Sequence, residues 1–344
     1  KKLDEIFVKI GKKNSFNVNS YCFSASPHTL RSQIQTFTGK NSSNRQDEAL
    51  NFEISDTYKV IDAIQTEISE DTAKFLLLIA ENSVKDEFVR ETRTISSINY
   101  YPQFYVAPLV EAEILLSPEQ KKNGCLLIDF GAGCTSFALY ANNYPCLCAV
   151  VPLGSKHITA DIEKKFNLRF EAAEKVKCTL GLAMEKDVKV EKQIIKTVDF
   201  QNVISARLNE ILNFIAKEIK YQGFYASVKE IAITGGGSQL KKLSEFISNF
   251  FDGKDVDFVK FDNNILPEMD FSKTLLYSLL KKCDENHEKK KEVIETVENT
   301  KKRTKKEKNT LGGIAKKFWG NSLFNEENET RFEDEANSQN TENK

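Results

Sequence analysis

The chain has 344 residues, enough for two domains, and its 49 basic and 50 acidic side chains leave a formal charge of −1. So neutral an average lacks the basic excess that phosphate backbones attract, which argues against nucleic acid as the main partner. No run of about 20 apolar residues is present to cross a bilayer. Taken in chain order, Leu3, Ile6, Phe7 and Ile10 recur at helical spacing, so the chain opens inside an amphipathic helix. A β-like run from Val18 to Ser24 follows, and then a polar stretch, Gly39 to Asp47, that reads as a boundary or long loop. Val60, Ile61, Ile64 and Ile68 predict a helix over Val60 to Ser69. The continuous apolar run from Lys74 to Ala80 predicts a buried strand, and Val84 to Thr94 a further helix. A strand at Tyr105 to Ala107 and a helix at Leu109 to Leu116 complete a strand–helix alternation that favours an α/β core.

Seven cysteines, at positions 22, 125, 134, 146, 148, 178 and 283, lie mostly in apolar runs and are expected to be reduced core thiols. Cys146 and Cys148 form a C-x-C that fits one face of a strand. With only three histidines in the chain, no structural metal is expected.

The stretch CLLIDFGAGCTSFALY, Cys125 to Tyr140, reads as strand, tight glycine turn, strand. Gly131 and Gly133 free the backbone to turn and leave room for a ligand against the main chain, and amides in such a turn can hold phosphate oxygens. Asp129 at the strand end would repel phosphate. A divalent cation such as Mg²⁺, held through water, resolves the conflict. A second glycine corner, EIAITGGGSQL from Glu230 to Leu240, has a strand running through Gly235, Gly236 and Gly237 toward a helix expected to begin near Ser238, with Leu240, Leu243, Phe246 and Ile247 on one face. Neither corner has P-loop or G-x-G-x-x-G spacing, and two separate glycine turns point to a nucleotide gripped from several sides.

These motifs resemble those of the actin, Hsp70 and sugar-kinase ATPase superfamily, and within it the bacterial cell-division protein FtsA. The residues that carry the resemblance are LLIDFGAGCTSFALY, VVPLGSKHITADI directly after it, FEAAEKVKCTLG (Phe170 to Gly181), IAITGGGSQL, and upstream SASPHTLRSQ (Ser24 to Gln33) and VAPLVEAEILLS (Val106 to Ser117). The resemblance implies an actin-like (ribonuclease H-like) two-domain ATPase fold that binds ATP with Mg²⁺. Asp129 would lie near the metal, and Gly131, Gly133, Cys134 and Thr135 would line the phosphates. Glu174 and Lys177 would contact ribose and base, while Gly235, Gly236, Gly237 and Ser238 would pack against adenosine. By spacing alone, Glu174 and Lys177 form an exposed i,i+3 ion pair. The chain departs from the family at Ser136, where a second acidic residue is usual, at Ala132, and at Lys241 and Lys242. His157 reads as a helix-start polar residue, no catalytic base stands out, and at most weak ATPase activity is expected.

The implied organisation places a remnant of subdomain 1A at 1–40, with the first phosphate hairpin expected upstream of it. A reduced 1C-like βα insertion follows at 41–98, and the chain returns to 1A at 99–122. Subdomain 2A occupies 123–183 and 226–280, and subdomain 2B occupies 184–225. Subdomain 2B, with helical spacing at Ile204, Leu208, Leu212 and Ile215, would receive the C-terminal peptide of FtsZ.

The C-terminal part carries its own signal. Residues 281–310 are dense in both charge signs and read as a flexible, disordered tether. Within 311–324 the residues Leu311, Ile314, Phe318, Trp319 and Leu323 form one apolar face of a short amphipathic helix, too brief to span a membrane and suited to lying in an anionic surface. Lys305, Lys306 and Lys308 add attraction to that surface. Residues 325–344 form an acidic, disordered tail. The combined expectation is a peripheral protein on the cytoplasmic face of the inner membrane at the division septum. It would assemble into filaments, tether FtsZ and meet other divisome proteins. The alternatives are a PilM-like actin homologue of pilus assembly and a kinase of the same superfold.

Overall fold

The computed structural model describes residues 22–25, 27–38, 42–69, 71–84, 103–260 and 270–283. The opening helix, nearly all of the helix expected over Val84 to Thr94, most of the charged tether, the amphipathic face at Leu311, Ile314, Phe318, Trp319 and Leu323, and the acidic tail lie outside the described residues.

The central element is a five-stranded sheet ordered β12 (Asp255–Phe258), β11 (Glu230–Thr234), β6 (Cys125–Phe130), β7 (Thr135–Ala141) and β8 (Tyr144–Val151). β6, β11 and β12 are mutually parallel, whereas β7 and β8 continue as an antiparallel meander. Every residue of β7 is buried, so its apolar run reflects cover on both faces rather than alternation. One face, with Leu126, Ile128, Phe137, Leu139, Ile231 and Ile233, packs on the helices Ser155–Phe166, Phe170–Leu180, Thr197–Tyr221 and Leu243–Phe250. The opposite face, with Cys125, Leu127, Ala138, Tyr140 and Ala232, packs on the helix Ala107–Leu115 and on Tyr277 of the helix 274–283. Helices on both sides of a mainly parallel sheet make the α/β architecture that the sequence predicts.

A second sheet is ordered β2 (Arg31–Thr38), β4 (Thr72–Glu81) and β3 (Tyr58–Ile68), all antiparallel neighbours; a short pair β1 (Cys22–Ala25) and β5 (Gln103–Val106) is parallel, and another, β9 (Val188–Val190) and β10 (Gln193–Ile195), is antiparallel. In β4, Phe75, Leu77 and Ile79 enter one core with Ala49, and Leu76, Leu78 and Ala80 enter the core of the larger sheet. Facing two cores is why its run is continuous. The helix expected over Val60 to Ser69 is a strand, β3. The polar stretch read as a loop contains a helix, Ser42–Leu50. Among the described residues of the segment 41–98 are the helix Ser42–Leu50 and the antiparallel strands β3 and β4. Among the cysteines, Cys125, Cys134, Cys146, Cys148 and Cys178 are free thiols, whereas Cys283 is disulfide-bonded, against the all-thiol expectation. Cys146 and Cys148 both lie on β8.

The helix expected to begin near Ser238 starts later. A single 3₁₀ turn, Gly236–Gln239, comes first, Lys242 takes a left-handed conformation, and the α-helix runs Leu243–Phe250. Leu240, Leu243 and Ile247 still reach the core. The predicted spacing at Ile204, Leu208, Leu212 and Ile215 is the buried stripe of the 25-residue helix Thr197–Tyr221.

Candidate functional site

The parallel strands β6 and β11 are in register, Thr234 beside Asp129, so both glycine corners leave the sheet at the same end. Carboxyl ends of parallel strands are where open α/β sheets place ligands. The corners also touch. Gly235 has φ +84°, and a Cβ there would lie 2.1 Å from Asp129 Oδ1 and 2.8 Å from the Phe130 carbonyl oxygen. At Gly237 a Cβ would lie 2.5 Å from the Phe130 ring. Gly133, by contrast, faces open space, and Gly236 meets only Ser272 Cβ at 3.5 Å. Two of the glycines are therefore spent on packing the corners together. The other two expose bare backbone.

The hairpin turn is buttressed by a glycine outside the predicted set. Ser155 and Lys156, at the start of the helix Ser155–Phe166, donate their amides to the Gly131 and Ala132 carbonyls at 2.9 Å each. A Cβ on Gly154 would come within 2.6 Å of the Gly131 oxygen, so only glycine allows this approach. His157 Nδ1 accepts from the Gly154 amide at 3.0 Å, which is the helix-start role its position implies.

Other predicted residues turn inward. The Thr135 hydroxyl donates to the Leu153 carbonyl (2.8 Å), and the Ser238 hydroxyl to the Gly235 carbonyl (2.7 Å); both side chains are fully buried. Cys134 is half-buried at the turn, its thiol pushed up by burial and by the nearby Asp129 and Glu111 carboxyls. Lys177 is buried rather than exposed. Its ammonium donates to Glu174 (2.8 Å), to the Thr159 hydroxyl (2.9 Å) and to the Ser155 carbonyl (3.1 Å). Burial works to raise the Glu174 carboxyl, but hydrogen bonds from Lys177 and Thr159, together with the lysine charge, hold it below its ordinary range. The pair thus ties its helix to the one that carries the hairpin.

Around Asp129 the structure adds residues that sequence reasoning missed. Glu111, on the helix Ala107–Leu115, has no exposed surface; its carboxyl meets Asp129 and the Thr274 hydroxyl, but neither oxygen makes a hydrogen bond of ordinary geometry, and the equally buried hydroxyls of Ser136 and Thr234 make none either. Each such orphaned group costs about 1–3 kcal/mol. Burial and the adjacent Asp129 push Glu111 well above the carboxylate range. Burial also pushes Asp129 up to about 6, against the lowering influence of Glu111 and Ser136. The signal was available: a glutamate inside APLVEAEIL, one turn after Pro108 and one before Leu115, sits on the apolar stripe of its helix. Unpaired buried oxygens are what a hard cation seeks, so the residues present fit Mg²⁺.

A groove of about 550 Å³ between the helices Ser155–Phe166 and Thr197–Tyr221 is lined by Asp161, Lys164, Val203, Arg207 and Glu210. Arg207 grips Asp161 with two nitrogens, at 2.8 and 3.0 Å.

Residues 126–268 match the family model described as cell division protein FtsA. The cell division protein FtsA of Neisseria meningitidis serogroup B is 30% identical over 165 residues, 44% of this chain and 40% of that relative. That of Borreliella burgdorferi is 29% identical over 157 residues, 42% of this chain and 38% of the relative. The chain spans about two fifths of the length of these curated relatives. Among solved structures, the PilM-PilN type IV pilus biogenesis complex is similar with a TM-score of 0.61 over 81% of this chain and 83% of that one, at 17% identity, a likeness of fold. The fold is actin-like, and the resemblance to the FtsA family of cell-division proteins, read first from two glycine corners, holds across residues 126–268, the segment that contains them both.

Proposed function

We propose that this chain is an actin-like cell-division protein that binds a purine nucleotide with Mg²⁺ at the two glycine corners, assembles into filaments, and tethers FtsZ to the cytoplasmic face of the membrane at the septum. The observation that carries the reading is the meeting of the corners at Asp129, Phe130, Gly235 and Gly237, at the carboxyl ends of neighbouring parallel strands. On this reading the backbone at Gly131, Gly133 and Cys134 faces the phosphates, and Gly236 faces the adenosine. Mg²⁺ would be held near Asp129 and would supply positive charge to the phosphates. Glu174 reaches the ribose from a helix held in place by Lys177. Thr135 and Ser238 shape the turns from inside, because their hydroxyls are engaged with backbone carbonyls.

On this reading the FtsZ peptide lies along the groove over the Asp161–Arg207 ion pair, within and beside residues 184–225, where charged side chains together with Val203 and Ala206 give an extended peptide both kinds of contact. The apolar face Leu311, Ile314, Phe318, Trp319 and Leu323 supplies the membrane contact. Sedimentation with anionic liposomes tests the anchor: the full-length chain pellets with the vesicles and a chain lacking 311–324 stays in solution. Equal pelleting would sink the anchor and favour a PilM-like role.

A further inference from the structure

We propose that the buried guanidinium of Arg45, under the first turn of the helix Ser42–Leu50, is a carboxylate-binding site, and that its ligand is an acidic side chain of a partner peptide. The site belongs to the three-stranded sheet and does not depend on the nucleotide reading.

The helix Ser42–Leu50 crosses the face of that sheet that carries Phe75, Leu77 and Ile79, with Ala49 fully buried against them. Gln46 Nε2 donates to the Ala63 carbonyl at 3.0 Å, and Arg45 Nη1 reaches the Ser69 carbonyl at 3.4 Å, so the start of the helix lies over the hairpin that joins β3 to β4. Side chains of an α-helix lean toward its N-terminus, which sets the guanidinium beside the first-turn amides, the ones without an intrahelical acceptor. No acidic residue stands in that turn to meet either group.

Arg45 is only 4% exposed, its Nε is buried without a hydrogen-bond partner, and the long contact from Nη1 is its one hydrogen bond among the described residues. None of the described carboxylates pairs with it. The nearby hydroxyls of Ser69 and Thr72 are engaged with each other, 2.6 Å apart. A guanidinium does not shed its proton to escape burial, so the charge stays and its lost hydration goes uncompensated. The Nε edge left unbonded is the one that receives a carboxylate through two parallel hydrogen bonds. One carboxylate balances one guanidinium, whereas a phosphate dianion would leave surplus charge in the same buried place. Ile68, 59% exposed at the end of β3, offers an apolar contact beside the hairpin, so the fitting peptide carries a glutamate between apolar residues.

The full-length chain is titrated with a capped peptide that has one glutamate between two leucines, with its glutamine counterpart, and with sodium acetate, following the Arg45 Nε–H resonance and the melting temperature. The glutamate peptide is expected to move the resonance and raise the melting temperature, the glutamine peptide to do neither, and acetate to act only at far higher concentration. Arg45→Met should weaken peptide binding about tenfold or more, and Arg45→Lys, which keeps the charge and loses the fork, by a smaller factor. Without peptide, Arg45→Met should melt at or above the parent, because an uncompensated charge has been removed. A melting temperature well below the parent's would make Arg45 a structural residue and overturn the proposal. So would undiminished peptide binding by Arg45→Met, an equal response to the glutamine peptide, or no response to any of the three probes. Acetate as potent as the peptide would overturn the assignment to a peptide side chain.

Discussion

At Gly235 the backbone sits at φ +84°, ψ 157°, a region that residues with a Cβ avoid, and the space a Cβ would need is occupied by Asp129 Oδ1. Gly235→Ala should therefore cost about 3 kcal/mol or more, combining backbone strain with displacement of a buried carboxyl. Urea unfolding measures it, and an unchanged midpoint would mean the corners do not pack as described. Lys177 acts by a different physics, since three acceptors share its ammonium. Lys177→Met should cost about 1–3 kcal/mol, below the full value for breaking a buried pair because Glu174 remains 41% exposed and rehydrates. The thiols give a test by pH. Burial pushes Cys125 up to about 12 and Cys148 higher still, so both stay protonated at pH 8 and resist alkylation in the folded protein. Exposed Cys178 should be labelled first, and Cys125 only after denaturation, as read by peptide mass mapping.

At the scale of elements, what the sequence made legible follows from how regular each element is. The run from Lys74 to Ala80 was readable as a strand because it is the middle strand of its sheet and faces two cores. β3 was misread as a helix for a specific reason. It carries irregular pairing between Val60 and Asp62 and again between Gln65 and Glu67, and these shifts break the two-residue period. Val60 and Ala63 then enter one core, and Ile61 and Ile64 the other, which mimics helical spacing. Its β-branched content, Val60, Ile61, Ile64, Thr66 and Ile68, was the countervailing signal. The helix Ser42–Leu50 was hidden by its polarity, because only Arg45 and Ala49 among its described side chains are fully buried. At the site, the glycine corners were legible as motifs. The Gly154 buttress depends on a contact with the separate Gly131–Ala132 turn, which no local pattern encodes, whereas the burial of Glu111 was legible from its place on the apolar stripe of its helix.

For the whole molecule, the FtsA match over residues 126–268 contains the seam between β6 and β11 at which the nucleotide site is proposed, with the two bare glycines Gly133 and Gly236 at its mouth. Gly133 and Gly236 allow a test that leaves the fold alone. Neither has a left-handed φ, a Cβ at Gly133 meets nothing within 4 Å, and a Cβ at Gly236 meets Ser272 only at ordinary contact distance. Added side chains should thus project into the space assigned to the ligand and spare the protein. The decisive measurement is calorimetric titration of the full-length chain, and of Gly133→Val and Gly236→Val, with ATP in the presence of Mg²⁺. The account predicts that the parent binds and that both variants lose at least tenfold in affinity while keeping the parental melting temperature. Undiminished binding by both variants would contradict it.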